Sequence, residues 1–112
     1  MNNKINNAAN ILFNARIKMK RILKLPKDCI PLDKKEAYKI QRSLVAKYLS
    51  QQKNIRIIGK KIGCTNKIAQ KQINVLEPFY GDLISNYVSK SNCTLEINKF
   101  FKPYIEYFQQ KK

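Results

Sequence analysis

Apolar positions in the first part of the chain recur at spacings of three and four. Ala8, Ile11, Leu12, Ala15, Met19, Ile22 and Leu23 would share one face of a helix over residues 7–24, behind an Asn-rich start expected to fray. The other face carries Asn10, Asn14, Arg16, Lys18, Lys20 and Arg21, with no acid before Asp28. A basic amphipathic helix can lie on a membrane or dock to a partner, but the plainer expectation is a surface helix covering a core. Pro26 and Pro31 then mark a loop, since each fixes φ and withdraws a donor. Asp33 is a natural N-cap, and Glu36 stands where a capping box needs its second member. Ala37, Ile40, Gln41, Leu44, Tyr48 and Leu49 form the buried stripe of a second helix ending near residue 51.

Beyond a turn at Lys53-Asn54 the pattern changes. Residues 55–58 are rich in β-branched side chains and bounded by Gly59, which predicts a short strand. Thr65 or Asn66 would cap a short helix reaching about Gln72, with Ile68 and Ile73 inward. Glu77-Pro78-Phe79-Tyr80-Gly81 reads as a turn in which Gly81 adopts a backbone conformation closed to other residues. Further strands are expected at 83–88, 94–97 and 104–108, joined by Ser, Asn and Lys turns. Helices first and strands afterwards predict an α+β fold. Residues 1–52 form its N-terminal helical segment and residues 53–112 the beginning of a β domain. No internal repeat is present.

Composition narrows the function more than the fold. A chain of 112 residues allows one domain, and 44% hydrophobic with 27% charged residues is ordinary globular composition, which argues against wholesale disorder. No apolar run reaches the ~20 residues of a membrane span, and the N-terminus lacks the apolar core of a secretory signal, so a cytoplasmic location and no membrane partner are expected. The net charge of +16 suggests nucleic acid or an anionic surface. However, 19 cations are Lys and only four are Arg, the residue that specific base and phosphate contacts favour. The chain also holds 15 Ile and 12 Asn, which share A/T-rich codons with Lys, and its lysines are spread along the chain. Solvated lysine faces are therefore the expected reading, and nucleic acid is not the expected partner. Cys29, Cys64 and Cys93 are odd in number and form no C-x-x-C pair, which supports neither a disulfide framework nor a zinc knuckle. The absence of histidine removes Ser-His-Asp and Cys-His catalysis and every His-ligated metal site.

The informative segment is Gly59-Lys60-Lys61-Ile62-Gly63-Cys64-Thr65. Two glycines four apart let the backbone approach a ligand or a neighbouring strand. The lysines between them fall on opposite faces of an extended segment, so one can point inward and be partly desolvated. The order of a phosphate-binding loop, G-x-x-x-x-G-K-[ST], is absent.

These residues resemble the N-terminal part of the 2-keto-4-pentenoate hydratase family, within the fumarylacetoacetate hydrolase superfamily. Ala37-Tyr38-Lys39-Ile40-Gln41 is similar to the family's A-Y-x-[IV]-Q helix, and Ile57–Thr65 to V-[VI]-G-[RK]-K-[IV]-G-[LC]-T. The likeness continues through Gln70-x-Gln72 and Val75-x-Glu77-Pro78-x-Tyr80-Gly81-x-Leu83, to about Glu106. The resemblance implies a hydro-lyase of aromatic catabolism that adds water to a 2-hydroxy-2,4-dienoate, giving a 4-hydroxy-2-oxo acid. Mg²⁺ or Mn²⁺ would chelate the 2-oxo acid end. It implies the opening helices and first strands of a mixed-sheet catalytic domain, with Lys61 as the lysine near substrate and Glu106 as the first glutamate of the metal-binding E-x-E. A small 2-oxo or 2-hydroxydienoate acid is the implied partner, with a second chain or a homo-oligomer to complete the site.

Departures from the family pattern are severe. Phe108 stands where the second metal-binding glutamate belongs, Tyr104 replaces an arginine and Phe79 an aspartate, and the third acid would lie beyond Lys112. One carboxylate is not a cage for a dication that wants about six oxygens. The expectation is a truncated, inactive relative of the hydratases, which does not bind the metal by itself. An active hydratase completed by another chain ranks next. The alternative, a basic binding module, would set lysines and aromatics such as Tyr48, Phe79, Tyr80, Tyr87, Phe100 and Phe101 against nucleic acid or another anion.

Overall fold

In the computed structural model, which describes residues 3–103 and 105, the chain begins with helix α1, Asn3–Ile17. Ile5, Ala8 and Ala9 are its buried face. The helix starts earlier than the periodicity alone suggests, because Ile5 packs with Ala8, Cys29 and Ile40. It also ends earlier. Met19 takes the left-handed conformation (φ 52°) and the Lys20 N–H donates to the Ala15 carbonyl at 2.8 Å, a closing turn that reverses the chain. Seven further helical residues would carry the backbone about 10 Å away, whereas Leu25 must return to pack on the Ile5 cluster.

Asp33 caps helix α2, Lys34–Leu49, by accepting the Glu36 N–H at 2.8 Å. The Glu36 carboxylate lies against Lys4 of α1 at 2.5 Å. Asn6 meets Ser43 and Phe13 meets Tyr48. These pairs advance together along both helices, so α1 and α2 run in the same direction, and residues 18–33 return along them. Val45, Tyr48 and Ile84 make a second buried cluster with Phe13, Leu44, Leu49 and Ile55 packed around it. Ala37, expected in the stripe, is exposed. Burial pushes the Tyr48 phenol upward, and the neighbouring Arg16 charge partly offsets this.

Strand β1 runs Ile57–Gly63 and strand β2 Phe79–Ile84, paired antiparallel from Ile57↔Ile84 to Gly63↔Phe79 with an irregularity between Ile57 and Gly59. Gly59 therefore lies inside the strand it was expected to bound. Gly63 serves close approach to the neighbouring strand: a Cβ there would sit 3.0 Å from the Phe79 ring. Gly81 is also within a strand, and none of the described glycines has positive φ. The left-handed residues are Met19, Cys64, Asn74 and Asn92. Between the strands, Asn66 caps α3, Lys67–Gln72, accepting the Ala69 N–H at 2.7 Å. Ile68 and Ile73 point outward, 75% and 54% exposed, while Gln70 is the inward residue. Its amide is needed there by the Cys64 carbonyl.

The expected strands at 83–88 and 94–97 do not form: 3₁₀ turns occupy Ser85–Tyr87 and Ile97–Lys99. The strand expected at 104–108 lies outside the described residues. Three helices and a two-stranded antiparallel sheet make the described part a small α+β fold. Among the described residues no helix is long and apolar enough to cross a membrane. The Cα radius of gyration, 15.7 Å, exceeds the about 13 Å of a closed domain of this length. Ile58, Ile62 and Leu76 remain exposed beside the sheet.

Candidate functional site

The outer edge of β2 meets α2. The Tyr80 N–H donates to the Tyr38 hydroxyl at 3.2 Å, and the Gln41 side-chain amide donates to the Tyr80 carbonyl at 3.0 Å. The two tyrosine rings stack with centroids 4.7 Å apart. Because Tyr80 turns both backbone groups away from β1, Ile62↔Tyr80 and Lys60↔Asp82 are the non-hydrogen-bonded pairs of the ladder, whose side chains stand closest. Lys60 accordingly forms an ion pair with Asp82 and lies 5.8 Å from the Tyr80 ring centroid.

Lys61 belongs to the opposite face. Its register partner is Gly81, which offers no side chain across from it. Among the described residues no carboxylate pairs with Lys61, and Lys61 is exposed. The inward, desolvated lysine expected from the alternation is therefore absent among the described residues, whose two strands leave both Lys60 and Lys61 exposed. An exposed ammonium beside a glycine gap can hold a carboxylate by charge and hydrogen bonding.

Cys64, directly after β1, has φ 57°, and its carbonyl receives the Gln70 side-chain amide at 3.0 Å. Gln70 is 4% exposed. Its backbone carbonyl receives the Val75 N–H at 2.9 Å, so one residue braces both ends of the α3 corner. Sequence reasoning assigned Gln70 only to a motif. Its signal was an amide one turn beyond a capping Asn66, where an apolar residue would leave a carbonyl without a donor. Asp82 was missed because its pairing depends on strand register.

A groove of about 900 Å³ runs between α2 and residues 73–80, floored by Tyr38, Ile73, Phe79 and Tyr80. The Lys34–Glu77 ion pair spans from one of its walls to the other. Lys61 does not line it, so the structure does not bring the lysine and the groove aromatics into one cavity.

Glu106, the implied metal ligand, lies outside the described residues, as do Tyr104 and Phe108. The implied Mg²⁺ or Mn²⁺ finds no donor set among the described residues, where no three Cys, Asp or Glu gather closely enough to hold a metal ion. Asp82 is engaged by Lys60 and Glu77 by Lys34. Compared with known protein families, the chain matches no family model.

Proposed function

We propose that the chain is a hydratase-like scaffold, its described helices and hairpin corresponding to the opening part of the 2-keto-4-pentenoate hydratases. Lys61 anchors the carboxylate of a small 2-oxo or 2-hydroxydienoate acid, and the chain alone performs no metal-dependent hydration. The observation that carries this reading is the division of labour on β1: Asp82 neutralises Lys60, whereas Lys61 faces Gly81 with its charge available. Support for the larger scaffold comes from the exposed Ile58 and Ile62 on the sheet and from the expanded radius of gyration. The free thiols of Cys29, Cys64 and Cys93 accord with a cytoplasmic location.

Two measurements test it. An absorbance assay with a 2-hydroxydienoate and Mg²⁺ or Mn²⁺ is expected to match buffer. Metal-dependent dienoate loss that disappears in Lys61→Ala would overturn the inactivity. Titration with unreactive 2-oxopentanoate, followed by amide NMR, is expected to shift Lys61 and Gly81 weakly, and Lys61→Ala should abolish the shifts. Identical shifts in that variant would remove Lys61 as the anchor.

A further inference from the structure

A second cavity, of about 350 Å³, opens at the far end of α1 and is separate from both the hairpin lysines and the groove. Its apolar lining includes Leu12, Leu44 and Phe101, with the Tyr48 ring beside them. Three cations, Arg16, Lys20 and Arg21, also line it, and no acidic residue does. Each acid of the described ion pairs is engaged elsewhere: Glu36 by Lys4, Glu77 by Lys34, Asp82 by Lys60 and Glu96 by Lys99. The negative end of the α1 dipole offsets part of the positive charge. No acidic residue lines the cavity to offset the rest.

Two features show how the backbone gathers these cations. Met19 holds φ 52°, a conformation that a side chain of its size rarely adopts. That turn brings the Lys20 N–H onto the Ala15 carbonyl and so returns Lys20 and Arg21 toward Arg16. Strain of this kind persists where the surroundings over-determine it, and it clusters at binding sites. Arg16 in turn is fixed by stacking: its guanidinium carbon lies 4.1 Å from the Tyr87 ring centroid and 5.9 Å from that of Tyr48. Tyr48 and Tyr87 meet edge to face at 5.8 Å. Arg16 also hydrogen-bonds the Tyr48 side chain, and a guanidinium, with five N–H donors, has others to offer a planar anion.

We propose that this cavity binds a small aromatic carboxylate, its one- or two-ring body against Leu12, Leu44, Tyr48 and Phe101 and its carboxylate on Arg16, Lys20 and Arg21. The volume is at the small end of ligand cavities, about 300–1,000 Å³, and the aromatic lining favours a planar ring. The site is independent of the hydratase reading, which concerns Lys61.

The test uses the full chain and 2-naphthoate, with amide NMR to map the shifts. The expected shifts fall at Ala15, Lys20–Ile22 and Tyr48, and neutral 2-naphthamide binds about tenfold more weakly or worse. Arg16→Gln would disturb the tyrosine stack, so Arg21→Gln is the decisive variant. It should weaken naphthoate binding about tenfold with an otherwise unchanged spectrum. Arg42→Gln, exposed on α2 and outside the cavity, should bind as the parent does. Equal binding of naphthamide, equal losses in Arg21→Gln and Arg42→Gln, or shifts confined to residues 73–80 would each overturn the assignment. Displacement of naphthoate by a single-stranded oligonucleotide at physiological salt would overturn it too, and would mark the surface as one for nucleic acid.

Discussion

Replacing Gln70 by Met keeps the side-chain length and removes its donor. The Gln70 amide is buried, and it reaches the Cys64 carbonyl at 3.0 Å across six residues. A net hydrogen bond contributes about 0.5–1.5 kcal/mol, and a buried carbonyl left unpaired costs about 1–3 kcal/mol. Cys64 itself is half-buried, so water reaches part of the orphaned group and the lower half of that range applies. The expected loss is about 1–2 kcal/mol. With an unfolding entropy of about 2.1 cal/mol/K per residue, each kcal/mol lowers the Tm of a chain this long by about 4 °C. Circular dichroism should therefore show Gln70→Met melting about 4–8 °C below the parent. Hydrogen exchange should locate the damage, with faster exchange at residues 62–66 and unchanged protection in α1 and α2. Cys64→Gly is the converse, because glycine accepts φ 57° freely, and should recover about 1 kcal/mol. A Gln70→Met variant as stable as the parent would refute the bracing argument. So would destabilisation spread evenly over both helices.

Tyr38→Phe combined with Gln41→Leu removes both side-chain bonds to the Tyr80 backbone but keeps the ring stack. Stability should fall by about 1 kcal/mol, because solvent can replace the exposed partners, and Tyr80 amide exchange should accelerate. Cys29 is buried, and burial first, then the Asp28 charge, pushes its thiol upward. A thiol reagent should label exposed Cys93 well before Cys29 at mildly alkaline pH. The fold favours the neutral Cys29 thiol, so its contribution to stability is full below the ordinary thiol range. It is lost as pH rises through the raised value, and urea midpoints should show this alkaline loss weakened in Cys29→Ala.

Features legible in the sequence were those decided by neighbouring residues. Asp33 caps α2 as read, and of the two candidates Thr65 and Asn66 it is Asn66 that caps α3, since an N-cap needs only its own side chain and the N–H three residues on. The α+β order was legible for the same reason. The end of α1 was not: the apolar spacing runs on through Met19, Ile22 and Leu23, and only the return of Leu25 to the first core cluster stops the helix at Ile17. The polarity of α3 was misread because Ile68 and Ile73 suggested an apolar inner face, whereas the corner required an amide there. Lys61 was placed on a strand between two glycines. Its lack of a carboxylate partner among the described residues and the Lys60–Asp82 pair follow from which ladder positions are hydrogen-bonded, and α2 fixes that by capturing Tyr80.

That capture has a consequence for how the sheet can grow. A ribbon of two strands ordinarily has two sides on which another strand can dock, and polymerisation through edges needs both. Here Tyr38 and Gln41 occupy the backbone groups of Tyr80 on one side. The remaining side is that of β1, where Ile58 and Ile62 are exposed. Among the described residues, a strand added on that side would lie next to the two lysines. The helix that stations Tyr80 thus obstructs growth of the sheet from the β2 side and leaves β1 as the more open edge.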